Sequence, residues 1–238
     1  MWACVLEINA WRRRRGDKPV AGYQDLCRLL SESNPVNVGG HRTSQRVRHD
    51  HWVAKLIEHL ESYLGTIQGG YSGDERTPEG VGVVSFGPDV PLPGVLTLTT
   101  LGLSRHHLSL PDGGHVHQEL LMHVTGEDEA YIPSALWAIA SRMIERGWAL
   151  PHGQVITSGP VVPGATVTGL LAINPMFLPS GFAVCEGIEE DTAAVVVWLA
   201  PLTAEEIAFA KEHGGEALVE IFTEHETNLS DLRRDGAT

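Results

Sequence analysis

The chain has 238 residues, enough for one large domain or two small ones with a substantial core, and no low-complexity linker divides it after Asp50. Its charge is uneven: residues 1–48 carry nine Lys or Arg against four acids, a net of +5, and residues 49–238 carry eight against twenty-six, a net of −18. So acidic a body repels phosphate backbones and anionic lipid, which argues against direct binding of nucleic acid or membrane and favours a basic partner or plain solubility.

Cys4, Cys27 and Cys185 are odd in number and widely spaced, with no C-x-x-C clip, which fits a reducing compartment. Cys185, in an apolar context, reads as a small core residue. The apolar run in residues 1–15 precedes Arg12-Arg-Arg-Arg15, the reverse of a secretory signal, and is too short to span a bilayer. The expectation is a cytoplasmic protein with a basic extension over 1–48, a domain over 49–234 and a frayed tail over 235–238. Within the extension, Tyr23–Leu30 reads as a short helix and Ser31–Gly40 as loop.

Asp50 is placed to cap a helix whose stripe is Val53, Leu56, Ile57, Leu60 and Leu64, ended by Gly65. His51 and His59 lie eight apart, too far for joint ligation on one helix face. Gly69–Gly80 is turn-rich, Val81–Phe86 is a short strand, and a proline-rich link leads to Val95–Ser104. There Leu96 and Leu98 share one parity while Leu101 and Leu103 take the other, which predicts a bulge within Thr99–Gly102. Gln118–Val124 alternates, with Leu120, Met122 and Val124 on one side. Sequential strands usually neighbour one another, so these three form an antiparallel meander.

Leu136, Ile139, Ala140, Met143 and Ile144 then mark an amphipathic helix stopped by Gly147. Gln154–Thr157 and Gly169–Ile173 read as strands, Asn174–Gly181 as loop, and Glu186–Asp191 as an acidic hairpin tip. Thr192–Leu202 is apolar on both parities, as in a strand covered on two faces. Thr203 and Glu206 form a capping box for the next helix, which ends at Gly214, and a last helix spans Glu216–Glu226. The chain after Asp231 is expected to fray.

Five histidines, His106, His107, His115, His117 and His123, crowd into eighteen residues. On an extended segment His115 and His117 project to one side, the beginning of a metal site, but no third ligand follows at a known spacing. The pairs flank a turn at Leu110–Gly114, where surface histidines are ordinary. There is no P-loop, dinucleotide glycine motif, H-E-x-x-H or G-x-S-x-G. No catalytic residue and no cofactor are assigned from the residues alone.

Thr100-Leu-Gly-Leu-Ser104, followed by Gln118-Glu-Leu-Leu121, resembles the Suppressor-of-fused domain family, which pairs a T-x-G-x-S strand with a later x-E-L-L strand. Trp198-Leu-Ala-Pro-Leu-Thr203, with Glu206, Phe209 and Gly214, is similar to that family's closing W-x-x-P-x-T…E…F…G segment. The resemblance runs from about Asp50 to about Arg234. Gly215 stands where an aromatic is expected after the closing glycine.

The resemblance implies an α+β fold: one mixed, largely antiparallel β-sheet packed by helices. It also implies a protein-binding module and no enzyme. Animal members hold zinc-finger transcription factors and capture a peptide between two domains; 238 residues leave no room for the second. Bacterial members accompany polymorphic toxin systems as immunity proteins. The expected partner is therefore a basic toxin domain, a nuclease among the candidates, with Glu127, Asp128, Glu129, Glu186, Glu189, Glu190 and Asp191 as contact residues. The alternative is a metal-dependent hydrolase built on the His106–His123 cluster, with His115 and His117 as ligands. The oligomeric state is left open.

Overall fold

The computed structural model describes residues 42–75, 77–88, 90–189 and 192–238, except the side chains of 42–51, 180 and 189. The expected basic arm, the helix at Tyr23–Leu30 and the loop at Ser31–Gly40 lie outside the described residues.

Helix α1 spans Arg42–Leu64. It begins well before Asp50, which therefore lies inside the helix instead of capping it. Its predicted stripe is buried from Val53 to Leu64, and Trp52 joins it. Strands β1 (Ile67–Tyr71), β2 (Gly82–Phe86), β3 (Val95–Leu101) and β5 (His115–Thr125) form an antiparallel run, with the two-residue β4 (Leu108–Ser109) on β5. The three-strand meander is thus present, extended by β1 from the stretch expected to be turn.

After helix α2 (Ile132–Arg146) come β6 (Gln154–Thr157), β7 (Val167–Ile173), β8 (Val184–Glu189) and β9 (Thr192–Thr203), then helices α3 (Ala204–His213) and α4 (Gly215–Glu224). The sheet order is β1-β2-β3-β5-β9-β7-β6, with β8 also on β9. Only the β5–β9 pair is parallel among the pairs described; the rest are antiparallel. This mixed sheet with helices on both faces is the α+β architecture expected.

Period two divides the core. Leu98, Leu120, Met122 and Val124 point to the α2 side, whereas Leu121, Trp198 and Phe222 pack with α1, α3 and α4. Because β3 is covered on both faces, Leu98 and Leu101 are both buried without a bulge. The β2–β3 and β3–β5 registers run unbroken, so the predicted bulge is absent. The chain instead turns at Gly102, φ 111°, into a 3-10 turn at Leu103–Arg105. A Cβ at Gly102 would lie 2.2 Å from the Gly80 carbonyl oxygen, so only glycine fits.

The C-terminal segment does not fray after Asp231. Leu232 is buried and its carbonyl accepts from Thr166 and Val167 N–H, while the Ala237 N–H donates to Glu206 Oε1 at 2.9 Å. Gly215 lies against Gly153, where a Cβ would meet backbone at 3.0 Å, so close backbone approach holds the corner that an aromatic was expected to anchor.

Candidate partner-binding surface

The residues that carry the family resemblance meet in two buried polar knots. In the first, Glu119 of β5 accepts Thr100 Oγ1 at 2.5 Å, Gly102 N–H at 2.9 Å, and Ser104 N–H and Oγ at 3.0 and 2.7 Å. Burial pushes its carboxyl above the usual range, and the Ser104, Thr100 and Gly102 donors pull it back. Trp52 of α1 donates to Ser104 Oγ at 3.0 Å, tying helix to sheet. In the second, Thr203 and Glu206 form the predicted capping box, and Arg234 grips Glu206 with both Nη atoms at 2.6 and 2.8 Å. Arg234 also donates to the Pro201 carbonyl at 2.9 Å. Burial raises the Glu206 pKa, yet Arg234, Thr203 and Ala237 together hold it below the usual carboxylate range. Both knots serve the fold.

The predicted acidic contacts separate. Glu127 and Glu186 are exposed. Asp128 is not available to a partner: it is 1% exposed and holds Arg233 bidentately at 2.6 and 2.9 Å. This pairing across 105 residues is invisible to composition. Glu129 is half-buried and accepts Tyr71 Oη at 2.8 Å. Glu189 ends β8 and pairs with Thr192 in the backbone register; its side chain, Glu190 and Asp191 lie outside the described residues.

The histidines do not gather into a ligand set either: of the five, His107 and His117 meet, with ring centroids 4.6 Å apart. His123 is buried, bonded through Nδ1 to Thr97 Oγ1 at 2.9 Å, and burial pushes its pKa down to about 4. His117 meets the Ser104 carbonyl at 2.6 Å and packs edge-on against Trp52 and His107. His115 is exposed beside Ser109 Oγ at 3.4 Å. Among the described residues no three His, Cys, Asp or Glu side chains are gathered for a metal. The Cys185 thiol is buried and raised to about 11 by burial, in keeping with a core residue.

Sequence patterning missed an apolar groove built from five segments distant in sequence. Phe177, 53% exposed on the β7–β8 loop, stands edge-on to Trp198 of β9 with ring centroids 5.2 Å apart, and His123 meets the other ring contact of Trp198 at 5.5 Å. On one side of Phe177 is a cavity of about 390 Å³ bounded by Val95, Thr125 and Ser230; on the other is one of about 400 Å³ bounded by Ile173, Val219 and Phe222. The two share Phe177, Thr227 and Leu229. Trp198 Nε1 and Thr227 Oγ1, both buried, have no hydrogen-bond partner. The exposed Met176 and Phe177 were the available signal, hidden in a stretch read simply as loop.

The family model described as Suppressor of fused protein (SUFU) matches residues 77–235. The chain belongs to the Suppressor of fused family. Among solved structures, this Suppressor-of-fused chain is similar to a SUFU homologue from Neisseria gonorrhoeae, with TM-score 0.61 and 18% identity over 79% of this chain and 97% of that one. It is also similar to a chain of the Sufu–Fu complex, with TM-score 0.57 and 13% identity over 78% of this chain and 91% of that one. Drosophila Suppressor of Fused gives TM-score 0.57 and 13% identity over 76% of this chain, which spans 50% of the Drosophila chain. No curated protein sequence matches. At these identities the structural likeness establishes the Suppressor-of-fused fold, and no helix among the described residues is long and apolar enough to cross a membrane.

Proposed function

We propose that this chain is a protein-binding module that sequesters a basic polypeptide in the cytoplasm, acting as an immunity protein against a cognate toxin domain, a nuclease among the candidates. The observation that carries the reading is a net charge of −18 over residues 49–238 on a Suppressor-of-fused fold. Among solved relatives, the Sufu–Fu complex supports a protein partner for the family. Acidic side chains steer a basic partner into encounter, and apolar contact then slows its release. The exposed Glu127 and Glu186, with Glu189, Glu190 and Asp191 in the sequence between β8 and β9, supply the charge. The sheet's outer strands, β1 and β6, offer backbone edges for strand addition.

Co-expression of the full chain with the polypeptides encoded by adjoining reading frames tests this. A complex that forms with a basic domain, blocks its toxicity and weakens as salt rises supports the reading. A complex indifferent to ionic strength contradicts the electrostatic part, and protection without any complex contradicts sequestration.

A further inference from the structure

The groove beside Trp198 has properties that the two polar knots do not use. Its walls are apolar, and the residues that bound its two cavities include Glu226 but no Lys or Arg. Helix α4 presents Val219, Phe222 and Thr223 to it. At 100° per residue, Glu216 and Glu220 fall beside Thr223 at the edge of that face, and both are exposed. From Gly215 to Asp231 there are five acids and no Lys or Arg. The groove is thus an apolar cleft with an acidic rim. Buried polar atoms without partners are rare in native proteins, yet two residues that line this cleft, Trp198 and Thr227, each carry one.

Resting on the protein-binding reading above, we infer that this groove takes a peptide segment of the partner with a large aromatic or aliphatic side chain flanked by Arg or Lys. The apolar side chain seats against Phe177, Phe222 and Leu229. The flanking cations meet Glu220 and Glu226. An apolar anchor with a charged rim is the usual anatomy of a tight protein contact.

The test uses the full chain and fluorescent, N-acetylated nonapeptides with a central Phe between Arg and Lys, read by anisotropy. Matched peptides have Glu flanks or a central Ala. The basic, Phe-centred peptides bind saturably, and both controls bind about tenfold or more weakly. Phe177→Ala, at a largely exposed position that spares the fold, weakens binding about tenfold. The double change Glu220→Lys, Glu226→Lys, at two exposed positions, weakens it as well.

Absence of saturation, equal binding of Glu-flanked peptides, or unchanged affinity in all variants overturns the inference. So does self-association abolished by Phe177→Ala, which gives the groove to a second copy. Binding that appears only after removal of residues 1–41 gives it to the chain's own segment and also overturns it. If the toxin complex survives Phe177→Ala but is lost with Glu127→Lys and Glu186→Lys, the groove fails and the sequestration reading stands. If the chain binds no basic polypeptide at all, that reading fails first.

Discussion

Ser104 reaches Glu119 twice, through its backbone N–H at 3.0 Å and its hydroxyl at 2.7 Å, and both bonds end on the same carboxylate oxygen. The Ser104 hydroxyl also accepts from Trp52, and the Thr100 hydroxyl accepts from Leu120 N–H, so each hydroxyl proton is left to point at Glu119. Removing the carboxylate strands all of these donors inside the core. Glu119→Ala is expected to destabilise the fold by about 3 kcal/mol or more in chemical denaturation, and Glu119→Gln by less, since one acceptor oxygen survives.

The turn that brings Ser104 to this carboxylate depends on Gly102. With φ 111° and the Gly80 carbonyl oxygen 2.2 Å from a would-be Cβ, Gly102→Ala must shift backbone in the turns before β2 and after β3. A loss of about 2 kcal/mol or more in thermal or denaturant unfolding is expected, whereas Gly113→Ala, which meets no atom within 4 Å, pays only for its φ of 89° and loses less.

Arg234 sits 8% exposed on a carboxylate that is fully buried. Arg234→Ala leaves Glu206 charged and unpaired and is expected to cost about 3–5 kcal/mol. Arg234→Lys recovers only part, because one ammonium cannot reproduce the fork. Truncation after Asp231 should lower Tm comparably. Because Glu206 is held below the usual carboxylate range, its contribution is present at neutral pH and lost on acidification through the folded pKa.

His123 gives a second, separable pH effect. Its folded pKa of about 4 lies below the ordinary value of 6.5, so the unfolded chain takes up a proton first. The stability is full above about pH 6.5 and declines as pH falls toward 4, by about 3 kcal/mol. His123→Gln should flatten this limb when unfolding free energy is measured against pH, leaving the lower-pH loss from Glu206.

What the sequence made legible was periodic or motif-bound. The stripe from Val53 to Leu64 is buried as read, Gly147 closes α2 in the left-handed region, and Thr203–Glu206 is a capping box. Each depends on residues within a few positions of one another. The parity change around Leu101 implies a bulge only for a strand with one buried face, and β3 is buried on both. The acidic contacts were legible only as composition. Asp128 belongs to Arg233 and Glu129 to Tyr71, partners 105 and 58 residues away, and no local pattern announces them. The groove escaped for the same reason, since Trp198, Phe177 and Phe222 lie on a strand, a loop and a helix that meet only in three dimensions.

The most direct measurement of the central claim is isothermal titration of the full chain with a purified basic toxin domain from an adjoining reading frame, repeated at rising salt. The account predicts a one-to-one complex whose affinity falls steadily with ionic strength and falls further in the Glu127→Lys, Glu186→Lys variant. No heat of binding at low salt, or turnover of a small molecule abolished by replacing one side chain, would contradict it.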